Sequence, residues 1–180
     1  MSNAKVVLLT AALAAFGTIA TAQTVVTLDD TSQSTTLTAS VAEQARVTVP
    51  AGVTFNVANI ASSTNATAAS VTVDNIALSS ADRQLKISLL ADASDFTPPV
   101  TGAATWTAGD VTWNAPTWDN ALGETGVLSS SSANAVATCT ADVASCGTSG
   151  LVFTLAANTN VKRSGGHQLS MTWKFESILN

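Results

Sequence analysis

The chain has 180 residues, 46% of them hydrophobic and only 11% charged, with a net charge of −5 and an isoelectric point near 4.5. About a quarter of an average soluble chain is charged, so this one is depleted more than twofold; 27 Thr, 20 Ser and 32 Ala fill the gap and Tyr is absent. Seven basic residues against twelve acidic ones leave no footprint for nucleic acid or anionic lipid, the apolar content argues against wholesale disorder, and one His with two Cys offers little from which to build an enzyme.

Residues 1–22 have the layout of a secretory signal peptide. Lys5 supplies the positive start, residues 6–20 are apolar and uncharged, and Ala20-Thr21-Ala22 is a small-x-small cleavage pattern that leaves Gln23 as the new N-terminus. The apolar run is about 15 residues, short of the roughly 20 that span a bilayer. No later stretch is long or apolar enough to span. The remaining chain is expected to be exported, and its size suits one domain with a real core.

The segment after cleavage is a β-former, Thr24, Val25, Val26, Thr27 and Leu28, followed by Asp29-Asp30 and a Ser/Thr-rich spacer to residue 36. Such a strand either pairs in its own sheet or adds to the open edge of a neighbouring copy, where main-chain hydrogen bonds supply affinity and alternate side chains supply register. Head-to-tail repetition of the second arrangement builds an open filament.

Short alternating runs follow. Leu37, Ala39 and Val41 oppose Thr36, Thr38 and Ser40; Val47 and Val49 come next; then Val53, Phe55 and Val57, Val71 and Val73, and Leu85, Ile87 and Leu89. Period-two alternation marks strands with one buried and one wet face. Turn residues separate the runs at Pro50-Ala51-Gly52, Asp74-Asn75, 92–99, Gly109-Asp110 and Gly165-Gly166. Asn65-Ala66-Thr67 is a glycosylation sequon, meaningful in a host that glycosylates exported proteins. Asp92 with Asp95, and Asp29 with Asp30, are the loop carboxylates open to a hard cation such as calcium, without any EF-hand spacing.

Residues 97–137 read as a loop or hairpin insertion and hold three of the four Trp, namely Trp106, Trp113 and Trp118. Three uses are open to them: packing anchors, a subunit contact, or a stacking platform for sugar rings, whose apolar faces suit an indole. Cys139 and Cys146 are separated by six residues. In an exported chain the default is a disulfide, and neither a His nor a second Cys pair lies nearby to complete a metal site.

Leu151, Phe153 and Leu155 alternate with Val152 and Thr154. The only His, His167, sits in a polar run before the last strand without a G-x-S-x-G elbow, so a nucleophilic triad is not expected. The closing strand is the clearest element: Leu169, Met171, Trp173 and Phe175 share one face, with Gln168, Ser170, Thr172, Lys174 and Glu176 on the other. Many short strands with turns between them predict an all-β chain, an antiparallel sandwich of jelly-roll or immunoglobulin-like type over residues 37–180, preceded by a detachable N-terminal strand and spacer at 23–36.

The signal peptide, the T-x-T-A-S-V strand, the run TVPAGVTF at 48–55 and the closing GHQLSMTWKFE at 166–176 together resemble small secreted β-sandwich surface proteins. The closing strand is similar to those of the TasA/camelysin fibre-forming proteins and, more distantly, of WxL-type cell-surface domains, from which Trp173-Lys174-Phe175 departs at its third residue. The resemblance implies a structural subunit of a pilus-like fibre or surface layer whose partners are copies of itself joined by strand donation; the sparse catalytic and ligating residues add the expectation of a non-enzymatic chain without cofactor or metal. The alternative is a monomeric secreted module that binds cell-surface glycan through Trp106, Trp113 and Trp118.

Overall fold

The computed structural model describes residues 28–29 and 33–180. The expected signal segment and Thr24, Val25, Val26 and Thr27 of the expected donor strand lie outside the described residues.

Ser40–Asn180 form one compact unit. In chain order its elements are β1 (Gln44–Thr48), β2 (Thr64–Asn65), β3 (Ala69–Ala77), β4 (Arg83–Ala91), a 3-10 turn (Ala108–Asp110), β5 (Val111–Trp113), β6 (Ala121–Gly123), β7 (Gly126–Val127), β8 (Asn134–Cys139), β9 (Cys146–Leu151), β10 (Phe153–Leu155) and β11 (Met171–Leu179). The branched and apolar residues that make these segments strands also make the core. In β3 the side chains of Val71 and Val73 are wholly buried while Thr72 and Asp74 are wet, and in β4 Leu85, Ile87 and Leu89 turn inward together.

Three antiparallel ladders result, in the orders β1-β3-β9, β2-β10-β5-β7 and β11-β4-β8-β6. They pack around one core that includes Val71, Ile87, Leu89, Val136, Leu151 and Phe153. The chain passes from the first ladder to the second at Val152, the single residue between β9 and β10. The side-chain oxygen of Asn114 accepts its N–H at 2.7 Å, and its carbonyl accepts the Asn114 N–H at 3.2 Å. This is the antiparallel β-sandwich that the alternation predicts.

The expected disulfide is present. Cys139 closes β8 and Cys146 opens β9, with their Cα atoms 5.9 Å apart. Because β8 and β9 belong to different ladders, the bond ties two sheets together as well as closing a local turn.

Several expectations need correction. Residues 97–137 are no peripheral insertion, since they supply β5, β6, β7 and the start of β8 to two ladders. Asp74-Asn75 does not separate strands but lies inside β3. There the register shifts against β1, and Asn75 takes φ 53°, a left-handed conformation that Asn tolerates better than most residues, so the feature is a β-bulge. The 36–41 run has no strand partner; Leu37 is 93% exposed. Residues 53–57 are also outside every ladder, although their burial alternates as a strand's would.

Candidate functional site

Among the described residues the 53–57 segment pairs with no strand, and the sandwich is open there. Val53, Phe55 and Val57 are half-buried against the core, with Thr54 and Asn56 exposed between them. Among the described residues, no backbone hydrogen bond joins this segment to another. A strand-like run normally ties such groups into a ladder.

Across from it lies the start of the closing strand. β11 pairs with β4 over nine residues, from Met171 opposite Ala91 to Leu179 opposite Arg83, and it is the terminal strand of its ladder. Among the described residues its other edge has no partner strand. Leu169, Met171 and Trp173 are half-buried on one face, and their alternation runs unbroken from the loop into the strand.

Between the two walls is a groove of about 1160 Å³. Its floor is the core itself, including Phe96, Trp106, Val111, Phe153 and Leu155. Among the described residues, twelve apolar side chains pack on the core while staying half-exposed. Eight of them line this groove: Val49, Val53, Phe55, Val57, Ile60, Leu169, Met171 and Trp173. Incomplete burial is thus concentrated along one channel.

The lip is polar and its only charges are basic. Lys162 and Arg163 are exposed there, and no carboxylate lines the groove among the described residues. His167 is held at the same lip. Its Nε2 donates to the Arg163 carbonyl at 3.2 Å, which closes 163–167 into a tight turn, and its Nδ1 pairs with the Thr105 hydroxyl at 2.8 Å. The ring stands edge-on to Trp106 at 5.2 Å. These neighbours hold the imidazole between a hydroxyl, a carbonyl and an indole.

The three Trp singled out from sequence do not gather into an exposed platform. Trp106, Trp113 and Trp118 are 5%, 3% and 6% exposed and belong to the core. Of the three, only Trp106 reaches the groove, and its Nε1 donates to the Ala156 carbonyl at 2.9 Å. The tryptophan that the groove presents is Trp173, which its own alternation had marked as a core residue. Alternation reports which face is apolar, and it cannot say whether anything covers that face.

The remaining candidates lie elsewhere. Asp92 accepts from the Thr172 hydroxyl at 2.8 Å, and Asp95 accepts from the Ser94 hydroxyl. Among the described residues no three metal-ligating side chains come together. Asn65 is exposed in β2, and its side-chain oxygen accepts from Thr154 at 2.8 Å. Asp29 follows the 90%-exposed Leu28 and has φ 74°. No helix among the described residues is long and apolar enough to cross a membrane. No family model, no curated protein and no solved structure matches this chain.

Proposed function

We propose that the chain is exported and serves as the non-enzymatic subunit of an extracellular, pilus-like filament or surface layer, in which an N-terminal strand of one copy completes the sandwich of the next. The observation that carries this reading is the groove, which has an apolar floor, half-buried walls and an unpaired edge on β11. A β-strand is the ligand that satisfies such a site, because it offers backbone groups to the open edge and alternate side chains to the floor. A donor of the expected kind exists in the same sequence at Thr24, Val25, Val26, Thr27 and Leu28. The layout shared with fibre-forming surface sandwiches agrees, and the disulfide suits an oxidising compartment.

Negative-stain microscopy of the exported protein tests it. Thin filaments are expected from the intact chain. Deletion of residues 23–34 should abolish them while leaving the β-rich circular dichroism spectrum of a folded monomer. Filaments formed by the deletion variant would sink the strand-donation reading.

A further inference from the structure

The groove and the donor carry enough detail to set direction and register. We infer that residues 23–30 of a second copy enter the groove antiparallel to the 169–173 wall, with Asp29 and Asp30 seated against the Lys162/Arg163 lip. The inference rests on the strand-donation reading and adds to it an electrostatic latch.

Length agrees first. The β11 wall offers three inward positions, Leu169, Met171 and Trp173, and the facing wall offers Val53, Phe55 and Val57. The donor likewise has three residues on one face, Thr24, Val26 and Leu28. At about 3.3 Å per residue each of these five-residue runs covers the same distance.

Charge then chooses the direction. In residues 23–180 Lys162-Arg163 is the only pair of adjacent basic residues, and it stands at the lip of a groove that no carboxylate lines among the described residues. The donor's apolar run is followed at once by Asp29-Asp30. Lys162 and Arg163 precede Leu169 in the chain, so the lip lies at the N-terminal end of the β11 wall, whereas the acidic pair lies at the C-terminal end of the donor. Opposite charges meet only if the two run antiparallel. Leu28 then faces Leu169, Val26 faces Met171 and Thr24 faces Trp173, which puts Asp29 opposite Gln168 and Asp30 opposite His167. The hydrogen bond from His167 Nε2 to the Arg163 carbonyl brings the basic pair to that same point. A parallel donor would leave the acidic pair at the far end of the groove.

The test compares four forms of the exported protein by sedimentation of polymer and microscopy. The lip reversal K162E/R163E and the donor reversal D29K/D30K should each raise the protein concentration needed for assembly by about tenfold or more, since like charges then meet. Both reversals in one chain should restore assembly to within about threefold of the unaltered protein. All four substituted positions are polar, and circular dichroism verifies that each variant is folded. A V26C/M171C variant should in addition form a ladder of disulfide-linked copies on a non-reducing gel. If the lip reversal assembles normally while deletion of 23–34 abolishes filaments, strand donation stands and the latch is wrong. Failure of the double reversal to restore assembly overturns it too, as does crosslinking of M171C to A39C in place of V26C, which would assign the groove to the 37–41 run. Filaments from the deletion variant remove the underlying reading itself.

Discussion

Ser88 is wholly buried in the middle of β4, and its hydroxyl has no hydrogen-bond partner. It lies between Lys174 of β11 and Ala135 of β8. A buried hydroxyl without a partner costs roughly 1–3 kcal/mol in lost hydration. Ser88→Ala should therefore hold or raise stability, by up to about 1 kcal/mol in urea unfolding; a loss of similar size would mean that the hydroxyl is satisfied after all. Trp113 and Trp118 have the same defect at their indole N–H groups, but their rings anchor the core and cannot be spared. Two glycines make room for them. A Cβ on Gly126 would fall inside the Trp113 ring, and one on Gly123 would lie 2.7 Å from Trp118 Cδ1. Gly126→Ala should cost about 1–3 kcal/mol by overpacking, read as a lower urea midpoint with altered tryptophan emission.

Among the elements, one clasp joins segments far apart in the chain. The Glu43 carboxylate, just ahead of β1, accepts from the Ser79 N–H at 2.8 Å and from Ser177 of β11 at 3.2 Å, and it lies 3.3 Å from the Arg83 guanidinium at the start of β4. Hydrogen bonding to Ser79, with Ser177 and the Arg83 charge adding to it, holds its carboxyl below the ordinary value of 4.5. A depressed folded pKa stabilises the fold above the unfolded value, and that contribution disappears as pH falls through the folded one. Glu43→Gln should thus unfold at lower urea than the parent at pH 7, with the gap closing as the pH drops well below 4.5. The disulfide acts at the same scale. Reduction, or replacement of both Cys139 and Cys146 by Ser, should cost roughly 2–3 kcal/mol, because the bond restricts a short loop in the unfolded chain.

The alternation of apolar and polar residues located β3, β4 and β11 well, since it senses burial of one face directly. It read Asp74-Asn75 as a turn because the same residues suit a left-handed bulge. It treated the Trp-bearing 97–137 stretch as peripheral because β5, β6 and β7 are two or three residues long, too short for any period to show. The candidate site was half legible. Val53, Phe55 and Val57 on one side and Leu169, Met171 and Trp173 on the other were each evident as faces. Their separation by an open channel was not, because an absent neighbour leaves no mark on local spacing.

For the whole molecule, low charge and a surface of Thr, Ser and Ala mean weak mutual repulsion between copies. Solubility ordinarily relies on interspersed surface charge, so this balance favours association. If the latch operates, assembly should weaken as salt rises from about 0.05 to 0.5 M, because the screening length for exposed charges falls from about 14 Å to about 4 Å over that range. Assembly held by apolar contacts alone would strengthen or stay level, and light scattering across a salt series distinguishes the two.

The unbonded backbone at 53–57 also serves as a built-in reporter. Amide protons without an acceptor trade with solvent deuterium quickly, while those in the β4–β11 ladder wait for the sheet to open. In an isolated subunit residues 53–57 should label within seconds although they sit beside the core. Once a strand from another copy lies alongside, the alternate amides of this segment that face it should slow by orders of magnitude, so their deuterium uptake would measure the occupied fraction of grooves in a growing polymer.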